Sequence, residues 1–72
     1  MNLVGYGTFK LEGGRLIVKF MSSNPFDFST WEVEIGDRSI NLVEILQEKL
    51  NGHVIIKDWK KETNEGVFGV YC

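Results

Sequence analysis

The chain has 72 residues, which leaves room for one hydrophobic core and excludes a second domain. Its eight basic and ten acidic residues give a net charge of −2, arguing against a surface built wholly for nucleic acid or anionic lipid. One cysteine and one histidine exclude an intrachain disulfide and a His/Cys zinc site. The 43% apolar content, with five Phe, two Trp and two Tyr, leaves aromatic packing or self-association to hold the fold.

Leu3–Leu11 and Arg15–Met21 flank Gly13-Gly14, a pair suited to a two-residue hairpin turn because both central positions accept positive φ. Folding the chain about that turn sets Leu11 opposite Leu16, Phe9 opposite Val18 and Gly7 opposite Phe20. The other face receives Glu12 with Arg15, Lys10 with Ile17, Thr8 with Lys19, and Tyr6 with Met21. One face is apolar and the other mixed, as in a sheet packed on one side. Gly5 and Gly7 fall on the apolar face, where glycines two apart mark a sharply bent strand or a close-lying ring, here Phe20 over Gly7.

Ser22–Ser29 reads as a loop around Ser-Ser-Asn-Pro, with at least one of Phe26 and Phe28 expected to plug the core. The competing reading makes the two rings an exposed recognition tip. Thr30–Gly36 alternates, Trp31, Val33 and Ile35 against Glu32 and Glu34, and predicts a half-buried strand. Asn41 and Glu44 match a capping box, Ile40 and Ile45 a hydrophobic staple, and Leu42, Ile45, Leu46 and Leu50 a helical stripe ended by Asn51-Gly52. A helix over Leu42–Leu50 is roughly 14 Å long and too short to persist undocked. His53–Lys60 and Gly66–Cys72 predict two further strands. The apolar run Val54-Ile55-Ile56 leaves their register, and the side on which Trp59 lies, open.

The expected fold is therefore α+β and mainly β, with five antiparallel strands and a helix between the third and fourth. That element order is similar to a small OB-fold barrel, a fold that binds oligonucleotides, oligosaccharides or proteins. An open sheet with the helix across one face satisfies the same order, and no family motif separates the two.

No catalytic constellation is legible. Ser22, Ser23 and Ser29 lack a nucleophile elbow, His53 follows a helix stop, and Cys72 reads as a strand-end residue. Glu32 and Glu34 stand about 7 Å apart on one strand face, which reads as a solvated acidic surface more readily than as a carboxylate pair or metal site. Gly5-x-Gly7 lacks the rest of a dinucleotide loop. The expectation is a protein without catalytic residues, metal or cofactor.

Two binding surfaces remain. Tyr6, Ile17 and Met21 among Lys10, Lys19 and Thr8, together with Phe26 and Phe28, form a candidate protein-contact surface. Lys57, Lys60 and Lys61 around Trp59 combine phosphate attraction with a stacking ring, the pattern of single-strand nucleic-acid binders, although Asp58, Glu62 and Glu65 offset the charge. The leading expectation is a cytoplasmic, non-enzymatic module acting through protein contacts. It would serve as an adaptor, regulator or inhibitor of a larger partner, the inhibitors that phages direct at host machinery among them, with some homo-oligomerisation. A single-strand nucleic-acid binder is the second reading and sequestration of a small metabolite or nucleotide the third. No signal peptide or membrane-spanning run is expected.

Overall fold

The computed structural model describes residues 2–23, 26–36 and 41–72. Its elements are β1 (Leu3–Glu12), β2 (Arg15–Ser23), β3 (Phe26–Glu34), α1 (Leu42–Leu50), β4 (His53–Lys60) and β5 (Glu65–Tyr71). The strands form one antiparallel sheet in the order β3-β2-β1-β5-β4. β3 and β4 are its two edges and do not pair, so the sheet is open and the barrel is not formed. Both edge strands run parallel to β1, at opposite sides of the sheet. A chain leaving one must cross the whole sheet to begin the other, and α1 lies on that crossover.

The β1–β2 hairpin has the expected register, from Gly5 opposite Ser22 to Glu12 opposite Arg15. Gly13 (φ 58°) and Gly14 (φ 76°) both occupy the left-handed region, as a type I′ turn requires. The Gly14 carbonyl accepts from the N–H groups of Ile35 (2.8 Å) and Gly36 (2.9 Å), tying this turn to the end of β3.

The described residues of the segment expected to be a loop are instead strand. β2 continues to Ser23 and β3 begins at Phe26, with Met21 opposite Phe28 and Ser23 opposite Phe26. Extending the alternation of Trp31, Val33 and Ile35 backwards places Phe26 and Phe28 on the face that Glu32 and Glu34 occupy. Neither ring plugs the core: Phe26 is 73% exposed and Phe28 58%. The Asn24-Pro25 part of the turn lies outside the described residues.

One sheet face and the helix enclose the core, made of Phe9, Leu16, Val18, Phe20, Leu42, Leu46, Val54, Phe68 and Val70. Trp31, Val33, Ile35, Ile45, Leu50 and Ile56 pack around its border. Rings cover glycines here. A Cβ on Gly7 would stand 2.9 Å from Cζ of Phe68, and one on Gly5 would stand 2.8 Å from Cζ of Phe20. The ring lying over Gly7 is thus that of Phe68, and Phe20, although opposite Gly7 in register, reaches over Gly5. The pairing of β5 with β1, which brings Phe68 over Gly7, was not readable from the sequence.

Helix α1 begins and ends as its sequence predicts. The Asn41 side chain accepts from the N–H groups of Val43 (3.0 Å) and Glu44 (3.4 Å), and Asn51 (φ 53°, ψ 50°) closes the helix in the left-handed conformation. The Ile40 half of the expected staple lies outside the described residues. Gln47 Oε1 accepts from the Val54 N–H (3.1 Å), joining the helix to the start of β4.

A bulge resolves the register of β4. Val54, Ile55 and Ile56 pair with Val70, Gly69 and Phe68, and the pairing then skips Lys57 to resume at Asp58 with Val67 and Trp59 with Gly66. Ile56 and Trp59 are three apart and would face opposite ways in a regular strand. The extra residue puts both on the helix side.

The open sheet face as candidate functional site

The helix covers one side of the sheet, and among the described residues nothing covers the other. Strand alternation brings Tyr6, Thr8, Lys10, Ile17, Lys19, Met21, Phe28 and Glu32 to this open face from the first three strands. From β4 and β5 it adds Ile55, Lys60, Glu65, Val67 and Tyr71. The pairing sets one residue from each strand in a single row across the sheet: Phe28, Met21, Tyr6, Gly69, Ile55. Four of the five carry apolar or aromatic side chains, and the row spans about 19 Å at the usual strand spacing. Tyr6 is half exposed, as Phe28 is. Phe26 extends the apolar zone along the β3 edge, and Val67 lies inside its boundary.

The other end of the face is charged. Lys10 Nζ lies 3.1 Å from Glu12 and 3.9 Å from Glu65, and Arg15 lies 3.6 Å from Glu32. The Glu12 carboxylate, through its hydrogen bond and its charge, with Glu65 adding to it, raises the Lys10 pKa above its ordinary value. A shallow groove of about 330 Å³ lies between the two zones, with Thr8, Ile17, Lys19, Asp58 and Lys60 among its walls. Long lysine stems beside apolar side chains make the rim amphipathic.

All five protein-contact candidates from the sequence, Tyr6, Ile17, Met21, Phe26 and Phe28, share this face. The nucleic-acid candidates divide. Lys57 reaches over the open face, its Nζ 5.0 Å above the Tyr71 ring, and Lys60 lines the groove. Lys61 lies in the turn after β4. Trp59 is on the helix side, where its ring meets Phe9 edge-on with centroids 5.5 Å apart, above Gly66. The ring and the lysines therefore do not form one stacking surface. Sequence reasoning missed Ile55 and Tyr71 as members of the open face, because the apolar run Val54-Ile55-Ile56 leaves the register of the last two strands open.

The remaining chemistry-bearing residues stand apart. His53 is exposed opposite Tyr71, and exposed Cys72 exchanges backbone hydrogen bonds with Asn2. Among the described residues no group of three or more His, Cys, Asp or Glu side chains could hold a metal ion. No described helix is long and apolar enough to cross a membrane. Comparison with protein-family models, curated proteins and solved structures finds no match.

Proposed function

We propose that this chain is a small non-enzymatic binding module that acts through protein contacts on its open sheet face. Its role would be that of an adaptor, regulator or inhibitor of a larger partner. The observation that carries the reading is the apolar row Phe28–Met21–Tyr6–Gly69–Ile55, which crosses every strand and stays solvent-exposed at Tyr6 and Phe28. Aromatic and methionine side chains ringed by charge are the composition of protein interfaces, and exposed apolar surface left uncovered costs solubility. The row is built on strands rather than loops, so its side chains are held in place before binding, which lowers the entropic cost of association.

The test is capture of partners from the native cell by the wild-type chain and by Tyr6→Arg and Phe28→Arg. Central aromatic anchors typically contribute about 2 kcal/mol or more, so each variant should lose its partner while keeping the wild-type melting curve. Undiminished capture by both folded variants would remove the open face from consideration.

A further inference from the structure

We infer that the occupant of the open face is a second copy of this chain, laid face to face about a two-fold axis that runs along β1. The inference rests on the protein-contact reading above and names the partner. Rotation about an axis along the central strand keeps each cross-strand row level and reverses its order. Phe28 then comes over Ile55 of the second copy, Met21 over Gly69, and Tyr6 over Tyr6. The Tyr71 ring and the Lys57 stem cover Gly69, so Met21 comes onto an aromatic side chain, a favourable thioether contact.

The charges follow the same symmetry. On this face β3 carries Glu32 and Glu34 and no basic residue, whereas β4 carries Lys57 and Lys60 beside Asp58. Glu32 and Lys60 belong to one row, linked through Ile17, Lys10 and Glu65, so the rotation brings Glu32 of each copy over Lys60 of the other. In the row between, Thr30 comes over Asp58. Lys10 meets itself on the axis, but Glu12 and Glu65 already neutralise it within each copy. A two-fold axis across the strands would stack Phe28 on Phe28 and set each charged edge strand over its own copy, leaving Glu32 only Arg15 of its own chain, 3.6 Å away.

The size is adequate. The molecule measures 34 × 19 × 18 Å along its principal axes. Its broad face is about 600 Å² in projection, comparable to the ~800 Å² of accessible surface each partner buries in a standard interface. Packed sheets lie about 10 Å apart and cross at about 30°, which displaces the outer strands by about 5 Å, within reach of Glu and Lys side chains.

Sedimentation over a range of concentrations should show a reversible dimer. Glu32→Lys and Lys60→Glu should each weaken it by at least about tenfold, and the double exchange should restore it. Facing backbones would be too far apart for a disulfide, so a short bismaleimide is the suitable cross-linker. In a Cys72→Ser background it should join Thr8→Cys chains, whose sites lie on the axis, and leave Phe28→Cys chains unjoined. Circular dichroism melts establish that each variant is folded. Three results would overturn the inference: a monomer at every concentration, a dimer indifferent to the charge exchange, or cross-linking at Phe28→Cys in place of Thr8→Cys. A monomer whose capture of some other protein is lost in Phe28→Arg would overturn it while leaving the protein-contact reading intact.

Discussion

The rings of Phe20 and Phe68 lie parallel, with centroids 6.2 Å apart and planes 7° from each other. Gly7 lies between the two residues on β1 and is paired with both. The stack closes over the middle strand only because Gly7 adds no side chain beneath it. Gly7→Ala would push a methyl group against Phe68 Cζ and the Lys19 carbonyl oxygen. Overpacking of this kind costs about 1–3 kcal/mol, and thermal denaturation should show a midpoint lowered by about 5–20 °C. An unchanged midpoint would mean that the ring lies elsewhere.

Leu46 is fully buried and is the deepest contact the helix makes with the core. Leu46→Ala should cost about 2–5 kcal/mol, which matches or exceeds the stability that a core this small supplies. Urea unfolding followed by far-ultraviolet circular dichroism should find the variant largely unfolded before denaturant is added. A full wild-type transition would show that the helix does not depend on docking.

Asn41 satisfies two N–H groups at the helix start. Asn41→Ala should lose about 1 kcal/mol, whereas Asn41→Asp keeps an acceptor and adds a favourable charge at the helix N-terminus. Paired melting curves check the order Asp at or above Asn, with Ala below both. At the other end, Asn51→Ala should destabilise and Asn51→Gly should not, because φ at this position is 53°.

Lys10 supplies the pH dependence. Its pKa is raised from 10.5, so the ion pairs with Glu12 and Glu65 contribute in full below that value and are lost as pH rises through the elevated one. The group is exposed, so the contribution is small and screened. Melting curves of wild type and Lys10→Met should differ slightly at neutral pH and low salt. They should converge above the raised pKa or in about 1 M salt.

The division of Trp59 from Lys57 and Lys60 bears on nucleic acid. With its ring edge-on to Phe9 and the lysines on the opposite sheet face, single-stranded oligonucleotides at low salt should not quench tryptophan fluorescence through stacking on Trp59. Quenching that disappears in Trp59→Phe and weakens steeply with salt would revive the single-strand reading.

How much of this was legible beforehand depends on the range of each signal. The hairpin turn and the helix ends are local: Gly13-Gly14, Asn41 and Asn51 act on residues within a few positions, and each behaves as read. The Ser22–Ser29 segment was misjudged because polar and proline residues signal a turn. In the structure β2 continues to Ser23 and β3 begins at Phe26, so Phe26 and Phe28 are strand residues. The register that sets Tyr6 opposite Met21 and places Ile17 on the same face is legible for the same local reason, since one turn fixes it. The places of Ile55 and Tyr71 were not, because the consecutive apolar residues Val54, Ile55 and Ile56 show no alternation and the pairing of β4 with β5 is set only in the folded sheet.

By itself, then, the sequence determined the element order, the β1–β2 register and the start and stop of the helix. All of these follow from short-range backbone preferences and alternation. Only the tertiary structure decided that β1 pairs with β5, that β3 and β4 remain free edges, and that one row of side chains crosses all five strands. Those outcomes depend on contacts between residues sixty or so positions apart, such as Gly7 with Phe68. Their closure is governed by how rings and glycines fit together, which no local pattern records.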